Sequence, residues 1–159
     1  MTDETHTPAQ RVQEYLAAHG IAWHIVELPS RAHSAKETAQ ALGCRAEQVV
    51  KSLVFRGRLT HEPILVLASG PNRVNEQKLS ALVAEPVQQA DAAFVHQRTG
   101  FAVGSVPPVG HIASLATFID EDLLRYEELW AGAGIPNTVC KFYPADLVSV
   151  SGGRVVSIT

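Results

Sequence analysis

Lys51 is the first residue whose type and position could support chemistry. It interrupts the apolar run Val49–Arg56, where a strand would place it on one face with Leu53 and Phe55. Such a lysine either extends along the sheet edge into water or faces a cleft. In a cleft, its ammonium could hold a phosphate or offset the negative charge that develops on an oxyanion. The pattern alone leaves both readings open.

A short loop, Gly104–Gly110, is the second candidate. Its sequence GSVPPVG contains two glycines and two prolines, which no helix or sheet interior would accept. Because its backbone is restricted, the loop could present N–H and C=O groups to a ligand at low entropic cost. It could equally be a structural turn between two elements.

Two further positions could receive an anion. Arg73 follows the predicted strand Pro63–Ala68 in a turn, where it would contact a phosphate or simply be solvated. His33 precedes the capping box Ser34–Glu37, and the helix that this box opens favours anions at its N-terminus. Most histidines beside helix caps are only local hydrogen-bond partners.

Several common catalytic motifs do not occur. The sequence contains no G-x-x-x-x-G-K-[ST], G-x-G-x-x-G or G-x-S-x-G pattern, so neither nucleotide binding nor serine hydrolysis has its usual support. The histidines do not have H-x-x-x-H spacing, and Cys44 and Cys140 do not form a C-x-x-C pair. We therefore expect no metal site and no cofactor.

Charge and hydropathy narrow the class of protein. The 13 basic and 16 acidic side chains give a net charge of −3, which argues against a DNA-binding protein that coats a duplex. A local basic pocket for one nucleotide end remains compatible with that balance. No apolar stretch approaches the roughly 20 residues of a membrane span, and the polar start of the chain is no signal peptide. A cytoplasmic protein with reduced cysteines is expected.

Local signals divide the chain into short helices and strands. Helices are predicted to begin after the caps Thr7, Ser34, Asn75 and Asp91, and at Pro144. The predicted strands are Trp23–Leu28, Val49–Arg56, Pro63–Ala68, Pro86–Gln89, Ala116–Ile119, Leu129–Gly134, Thr138–Phe142 and Arg154–Ile158. Because they do not alternate regularly with helices, the pattern indicates an α+β fold with one mixed sheet or open barrel surrounded by helices. Residues 1–159 are expected to form a single compact domain.

Taken together and in chain order, five segments resemble the YbaK-like and prolyl-tRNA synthetase-associated editing domains. The resemblance covers nearly the whole chain, and its most specific parts are the lysine-bearing strand and the G-x-x-x-P loop Gly104–Pro108. The segments are Val50–Phe55, Asn75–Leu79, Gln97–Phe101, Val103–His111 and Ile119–Asp120.

This resemblance implies an enzyme that hydrolyses the ester between a wrong amino acid and the 3′-terminal adenosine of a tRNA, mostly tRNA(Pro). The length leaves no room for an aminoacylation module, so a free-standing, metal-independent deacylase that acts in trans is expected. Its expected partner is the acceptor end of a mischarged tRNA. A synthetase or elongation factor could supply tRNA identity.

The resemblance also implies roles for particular residues. Lys51 corresponds to the residue most often assigned an essential role, and Asp120 to an acidic residue near the site. The loop would shape the pocket, with Gly104 and Ser105 fixing the carbonyl and three further residues narrowing the space. Those three are Val106, Pro107 and Pro108.

The loop departs from the cysteine-specific branch of the family, which has Gly-Gly-Ile-Ser-Pro. Ser105 replaces its second glycine and Pro107 its serine, so cysteine specificity is not carried over. His111 follows the loop and either takes part in catalysis or caps the next segment.

Two readings without catalysis stay open. One is a binding module for aminoacyl-tRNA or an amino acid on the same fold, and the other is a protein–protein adaptor. Lys51 and the intact loop favour the enzyme, since an adaptor has no need of a lysine in an apolar strand.

Overall fold

The structure is a computed structural model that describes residues 7–22, 24–29 and 34–159. Its helices are α1 (Pro8–Ala18), α2 (Ala35–Leu42), α3 (Glu76–Val83), α4 (Ala92–Thr99) and α5 (Pro144–Ser151), with 3-10 turns at Ala46–Gln48 and Glu121–Arg125. Its strands are β1 (Ile25–Glu27), β2 (Val50–Gly57), β3 (Pro63–Ser69), β4 (Val87–Gln89), β5 (Ala116–Asp120), β6 (Leu129–Gly132), β7 (Thr138–Phe142) and β8 (Arg154–Val156). Trp23, the predicted start of the first strand, lies outside the described residues.

Polar caps begin the helices, as the sequence predicts. The side chains of Thr7, Ser34, Asn75 and Asp91 each accept a hydrogen bond from a backbone N–H in the first turn of the helix that follows. Each satisfies a donor that has no partner inside its helix. The predicted helix starts at these four positions are therefore confirmed.

A five-stranded mixed sheet, in the order β4-β2-β3-β5-β8, forms the centre of the molecule. β2 runs antiparallel to β3 and β4, whereas β3–β5 and β5–β8 are parallel pairs. The central strand β3 is buried along its whole length. Leu65 and Leu67 pack into one hydrophobic core and Ile64, Val66 and Ala68 into the other. Burial on both faces explains why this strand is an unbroken apolar run.

A second sheet contains β1, β7 and β6 in that order, all antiparallel. The α+β class is confirmed, but the eight strands divide into two sheets instead of one sheet or barrel. The reason lies at the edge of β2. This strand pairs with β4 only from Phe55 onward, and Val49, the residue before it, meets the second sheet through an isolated bridge to Trp130. β3 pairs with one edge of β2 along this stretch. On the other edge, no strand among the described residues pairs with β2 between these points, and the two sheets separate there.

Two hydrophobic cores stabilise this arrangement. The larger core is contributed by both sheets and by the buried face of α1, Val12 and Leu16. The smaller core lies on the other face of the five-stranded sheet, where Leu79 of α3 packs against Val66 and Phe118. Within the described part of the chain, no helix is both long and apolar enough to cross a bilayer.

Candidate active site

A cavity of about 380 Å³ opens where the two sheets separate. Its volume lies within the range usual for small-molecule sites. The uncovered edge of β2 forms one wall, β6 and the start of β7 form another, and the loop after α4 crosses between them. The lining residues are Leu28, Ser34, Ala35, Thr38, Val49–Leu53, Val103–Val106, Trp130, Gly132, Ile135 and Asn137–Val139.

Lys51 is half-buried in this wall, which supports the cleft reading over an extension into water. Its Nζ donates a hydrogen bond of 2.7 Å to the backbone carbonyl of Asn72. Burial, and then the positive charge of Arg73, lower the pKa of Lys51 below its ordinary value, while the negative charge of Asp120 acts in the opposite direction. Arg73 itself is exposed and does not line the cavity. It therefore affects the site through its charge.

Asp120 lies behind Lys51, without contact with the cavity. Only 1% of the residue is exposed, and its carboxylate accepts hydrogen bonds from three donors. Oδ2 accepts from the Ser69 N–H at 3.0 Å and from Asn72 Nδ2 at 2.8 Å, and Oδ1 accepts from the Asp122 N–H at 2.9 Å. The expectation that Asp120 binds substrate directly is therefore corrected, because its acceptors are used inside the fold.

Gly104 forms part of a tight turn in the loop that lines the cavity together with β2 and β6. The Ser105 N–H donates to the Ala102 carbonyl at 3.0 Å, and Gly104 has φ +87°, as in a type II turn with glycine third. A Cβ on Gly104 would meet no atom of the described residues within 4 Å, so the glycine is required by its positive φ and not by lack of space. Because the Ser105 N–H is already bonded, the expectation that it fixes a substrate carbonyl is corrected. Gly104 and Val106 remain as backbone candidates.

The far end of the loop faces elsewhere. Pro108 and His111 line a second cavity of about 350 Å³, together with residues of α1 and α5. Pro107 is buried and lines neither cavity, and its carbonyl accepts a 2.7 Å hydrogen bond from His111 Nε2. Burial lowers the pKa of His111, which favours a neutral ring with its proton on the nitrogen that donates. Pro107, Pro108 and His111 therefore do not reach the cavity of Lys51, which corrects their expected place in the pocket.

Sequence reasoning left the role of Ser52 open and did not identify several other residues of the wall. Ser52 Oγ and Asn137 Oδ1 are buried there and have no hydrogen-bond partner among the described residues. Ser52 follows Lys51 directly, which was a weak signal. No local pattern marks Asn137, Thr38 or Thr138, because only the packing of α2 and β7 against β2 brings them together. His33 lies outside the described residues.

The described residues contain no group of three His, Cys, Asp or Glu side chains that could hold a metal ion. The cavity wall has one charged side chain among the described residues, that of Lys51. The arrangement thus offers an ammonium, unpaired polar oxygens and exposed backbone around a space with otherwise neutral walls. It can orient a small polar ligand and stabilise negative charge on it.

The architecture and the site can be compared with known proteins. The sequence profile of the aminoacyl-tRNA editing domain matches residues 29–150. A crystal structure described as a candidate trans-editing enzyme for prolyl-tRNA synthetase superposes with a TM-score of 0.89 at 42% identity, covering 97% of this chain and 98% of that one.

Two curated relatives extend the comparison. A candidate Cys-tRNA(Pro)/Cys-tRNA(Cys) deacylase, EbsC of Enterococcus faecalis, is 24% identical over 79% of this chain and 77% of its own. The proline–tRNA ligase of Limosilactobacillus fermentum is 32% identical over 64% of this chain, but the match spans only 18% of the ligase. The likeness thus extends to one part of the synthetase, and to most of the deacylase. On the family profile and the shared fold, this chain belongs to the aminoacyl-tRNA editing domain family, a family of aminoacyl-tRNA deacylases.

Proposed function

We propose that this protein removes a small non-cognate amino acid from a mischarged tRNA, with tRNA(Pro) as the preferred carrier. The observation that carries the proposal is the position of Lys51, whose half-buried ammonium lies in the wall of an otherwise neutral cavity opposite the Gly104 turn. The names of the relatives, a Cys-tRNA(Pro) deacylase and prolyl-tRNA synthetases, support the choice of carrier.

The walls of the cavity favour a small, uncharged aminoacyl group. Val106, Ile135 and Val139 restrict the space, and Thr38 and Thr138 add hydroxyl groups. No carboxylate lines the cavity among the described residues, so a basic side chain would find no counter-charge. A separate editing site is needed because the aminoacylation pocket of a synthetase gains only about 1–3 kcal/mol of binding free energy per methylene. That is too little to reject a smaller amino acid.

Lys51 acts on the charged part of the substrate. Its ammonium retains donors beyond the one given to Asn72, since a lysine has three N–H bonds. These can hold the phosphate of the terminal nucleotide or stabilise the oxyanion that forms on the ester carbonyl. The backbone at Gly104 and Val106 orients that carbonyl.

The reaction itself needs no strong nucleophile, because an aminoacyl ester is already activated. Water attacks the carbonyl carbon, the bond from this carbon to the ribose oxygen breaks, and the ribose oxygen takes up a proton. The neighbouring ribose hydroxyl of the substrate activates the water, which accounts for a wall without a histidine or carboxylate base among its described residues.

Recognition of the whole tRNA requires help from a partner. With a net charge of −3, the protein has little long-range attraction for a polyanion, since such affinity is electrostatic. A synthetase or an elongation factor that already holds the mischarged tRNA would supply its identity.

The test is a deacylation time course on tRNA(Pro) charged separately with alanine, cysteine, serine or proline, using the wild type and Lys51→Ala. We expect selective release of one small non-cognate amino acid, and a loss of this release in the variant. If none of the four is released faster than in buffer, a non-catalytic binding module replaces the proposal. If Lys51→Ala retains full activity, the role of the lysine is wrong.

A further inference from the structure

A lysine at a catalytic position must have its ammonium held in place, because its side chain has four rotatable bonds. The hydrogen bond that holds Lys51 is the 2.7 Å contact from Nζ to the Asn72 carbonyl. Asn72 lies 21 residues after Lys51 in the chain, in the turn that follows β3. The direction of its carbonyl therefore decides where the ammonium lies.

Three hydrogen bonds fix Asn72 in turn. Its N–H donates to the Ser69 carbonyl at 2.8 Å. Its side-chain amide donates to Asp120 Oδ2 at 2.8 Å and to Asp122 Oδ2 at 2.9 Å. The amide thus ties the turn after β3 to the end of β5 and to the 3-10 turn that follows. Without this tie, only the bond to Ser69 would orient the carbonyl.

Asp120 contributes a negative charge as well as an anchor. Its carboxylate is fixed by Ser69 and Asp122 as well as by Asn72, so its charge has a fixed position in the fold. Among the described residues, the charged groups that act on the ammonium are Arg73, which disfavours its protonated form, and Asp120, which favours it. Asp122 is joined to the same cluster through Asn72 and pairs on its outer side with Arg125 at 3.2 Å.

We propose that Asn72 and Asp120 are positioning residues for the deacylation reaction: Asn72 sets the place of the Lys51 ammonium, and Asp120 holds Asn72 in the orientation that this requires. This inference rests on the proposed function of Lys51. Neither residue contacts the substrate. Both act through the lysine.

The first test compares Asn72→Ala with Gln88→Ala, an amide truncation at an exposed site away from the cavity. For Asn72→Ala we expect kcat to fall about 10-fold, with KM for aminoacyl-tRNA within about twofold of the wild type. Gln88→Ala should match the wild type in both constants. Asp122→Ala, which removes one of the two carboxylates that hold the amide, should give a smaller loss than Asn72→Ala.

A double-mutant cycle separates positioning from a general structural effect. In a Lys51→Ala background, Asn72→Ala should cause no further loss of residual activity, because it acts through the lysine. An equal further loss in that background, or a rise in KM without a fall in kcat, would overturn the proposal.

A measurement without substrate tests the charge. The pKa of Lys51 can be followed by NMR of ¹³Cε-labelled lysine, with the signal assigned by its absence from Lys51→Arg. Asp120→Asn should lower this pKa, because it removes the favourable charge and leaves Arg73 unopposed. The alkaline limb of the activity profile should then move to lower pH. An unchanged pKa in a folded Asp120→Asn variant contradicts the inference.

These readouts distinguish the two proposals. If the wild type has no deacylase activity, the proposed function is wrong. The change in the Lys51 pKa on Asp120→Asn would still show whether Asp120 acts on Lys51. An active wild type whose Asn72→Ala variant keeps its kcat would leave the proposed function intact and overturn only the positioning role. If Asp120→Asn does not fold, the Asn72→Ala cycle decides alone.

Discussion

The loop Gly104–Gly110 separates two cavities that are nearly equal in volume but differ in chemistry. The cavity on the Lys51 side measures about 380 Å³ and the one on the His111 side about 350 Å³. Lys51 brings a partly desolvated charge to its cavity and uses one of three donors inside the fold. The Nε2–H of His111 donates to the Pro107 carbonyl, and burial disfavours the charged form of the ring by lowering its pKa. Since the two cavities have similar volumes, the difference teaches that volume does not mark the site, whereas a charged side chain in the wall distinguishes one cavity from the other.

The largest expected difference between the two sides is in catalysis. Lys51→Met should lower kcat/KM for deacylation by about 100-fold, since removing one stabilising donor at an oxyanion costs about that much. His111→Gln, on the other side, should stay within about threefold of the wild type. Steady-state kinetics on mischarged tRNA(Pro) measure both. Comparable losses in the two variants would mean that the loop transmits effects between the cavities.

Filling each cavity in turn gives the next largest effect. Gly132→Leu should reduce kcat/KM at least 10-fold, because a Cβ there sits at an ordinary 3.5 Å from the Val106 carbonyl and the rest of the side chain occupies the cavity. Ala113→Leu, its counterpart in the second cavity, should leave activity within twofold. Melting curves of both variants establish that they are folded. If activity is lost only in Ala113→Leu, the active site lies in the second cavity and the assignment to the Lys51 cavity is wrong.

Alanine substitutions of the two glycines at the ends of the loop, Gly104 and Gly110, should separate effects on the free energy of unfolding from effects on activity. Both have positive φ, +87° at Gly104 and +84° at Gly110, so alanine at either costs about 1–2 kcal/mol in backbone strain. A Cβ on Gly110 would also lie 3.2 Å from Val12 Cα, whereas one on Gly104 meets open space. Urea unfolding should therefore show the larger loss for Gly110→Ala. Deacylation should show the larger loss for Gly104→Ala.

The smallest effect is a dependence of stability on pH at the second cavity. Burial lowers the pKa of His111 in the folded protein, so the unfolded chain takes up a proton first as pH decreases. The free energy of unfolding should then fall as pH drops below the ordinary histidine pKa of about 6.5. Urea unfolding at pH 7.5 and 5.5 should show a smaller drop in His111→Gln than in the wild type. Equal drops would assign the effect to other histidines.

Much of the fold was predictable because its signals are local. The caps Thr7, Ser34, Asn75 and Asp91 begin helices by bonding N–H groups two or three residues away. The apolar run of β3 and its antiparallel pairing with β2 follow from residue type and a short connection. The division of the strands into two sheets was not predictable, because it depends on where β4 stops pairing with β2 and on the bridge between Trp130 of β6 and Val49, the residue before β2.

The site divides in the same way. From the sequence alone, Lys51 stood out as a charge in an apolar strand, and the Gly104–Pro108 loop as a rigid backbone. That Lys51 faces a cavity while Asp120 lies behind it was decided by the tertiary structure, through an Asn72–Asp120 bond that spans 48 positions of the chain. The structure likewise turned Pro108 and His111 to the other side of the loop. Residue types and short-range spacing determine what each segment can do, whereas only the packing of distant segments determines which groups remain free to meet a substrate.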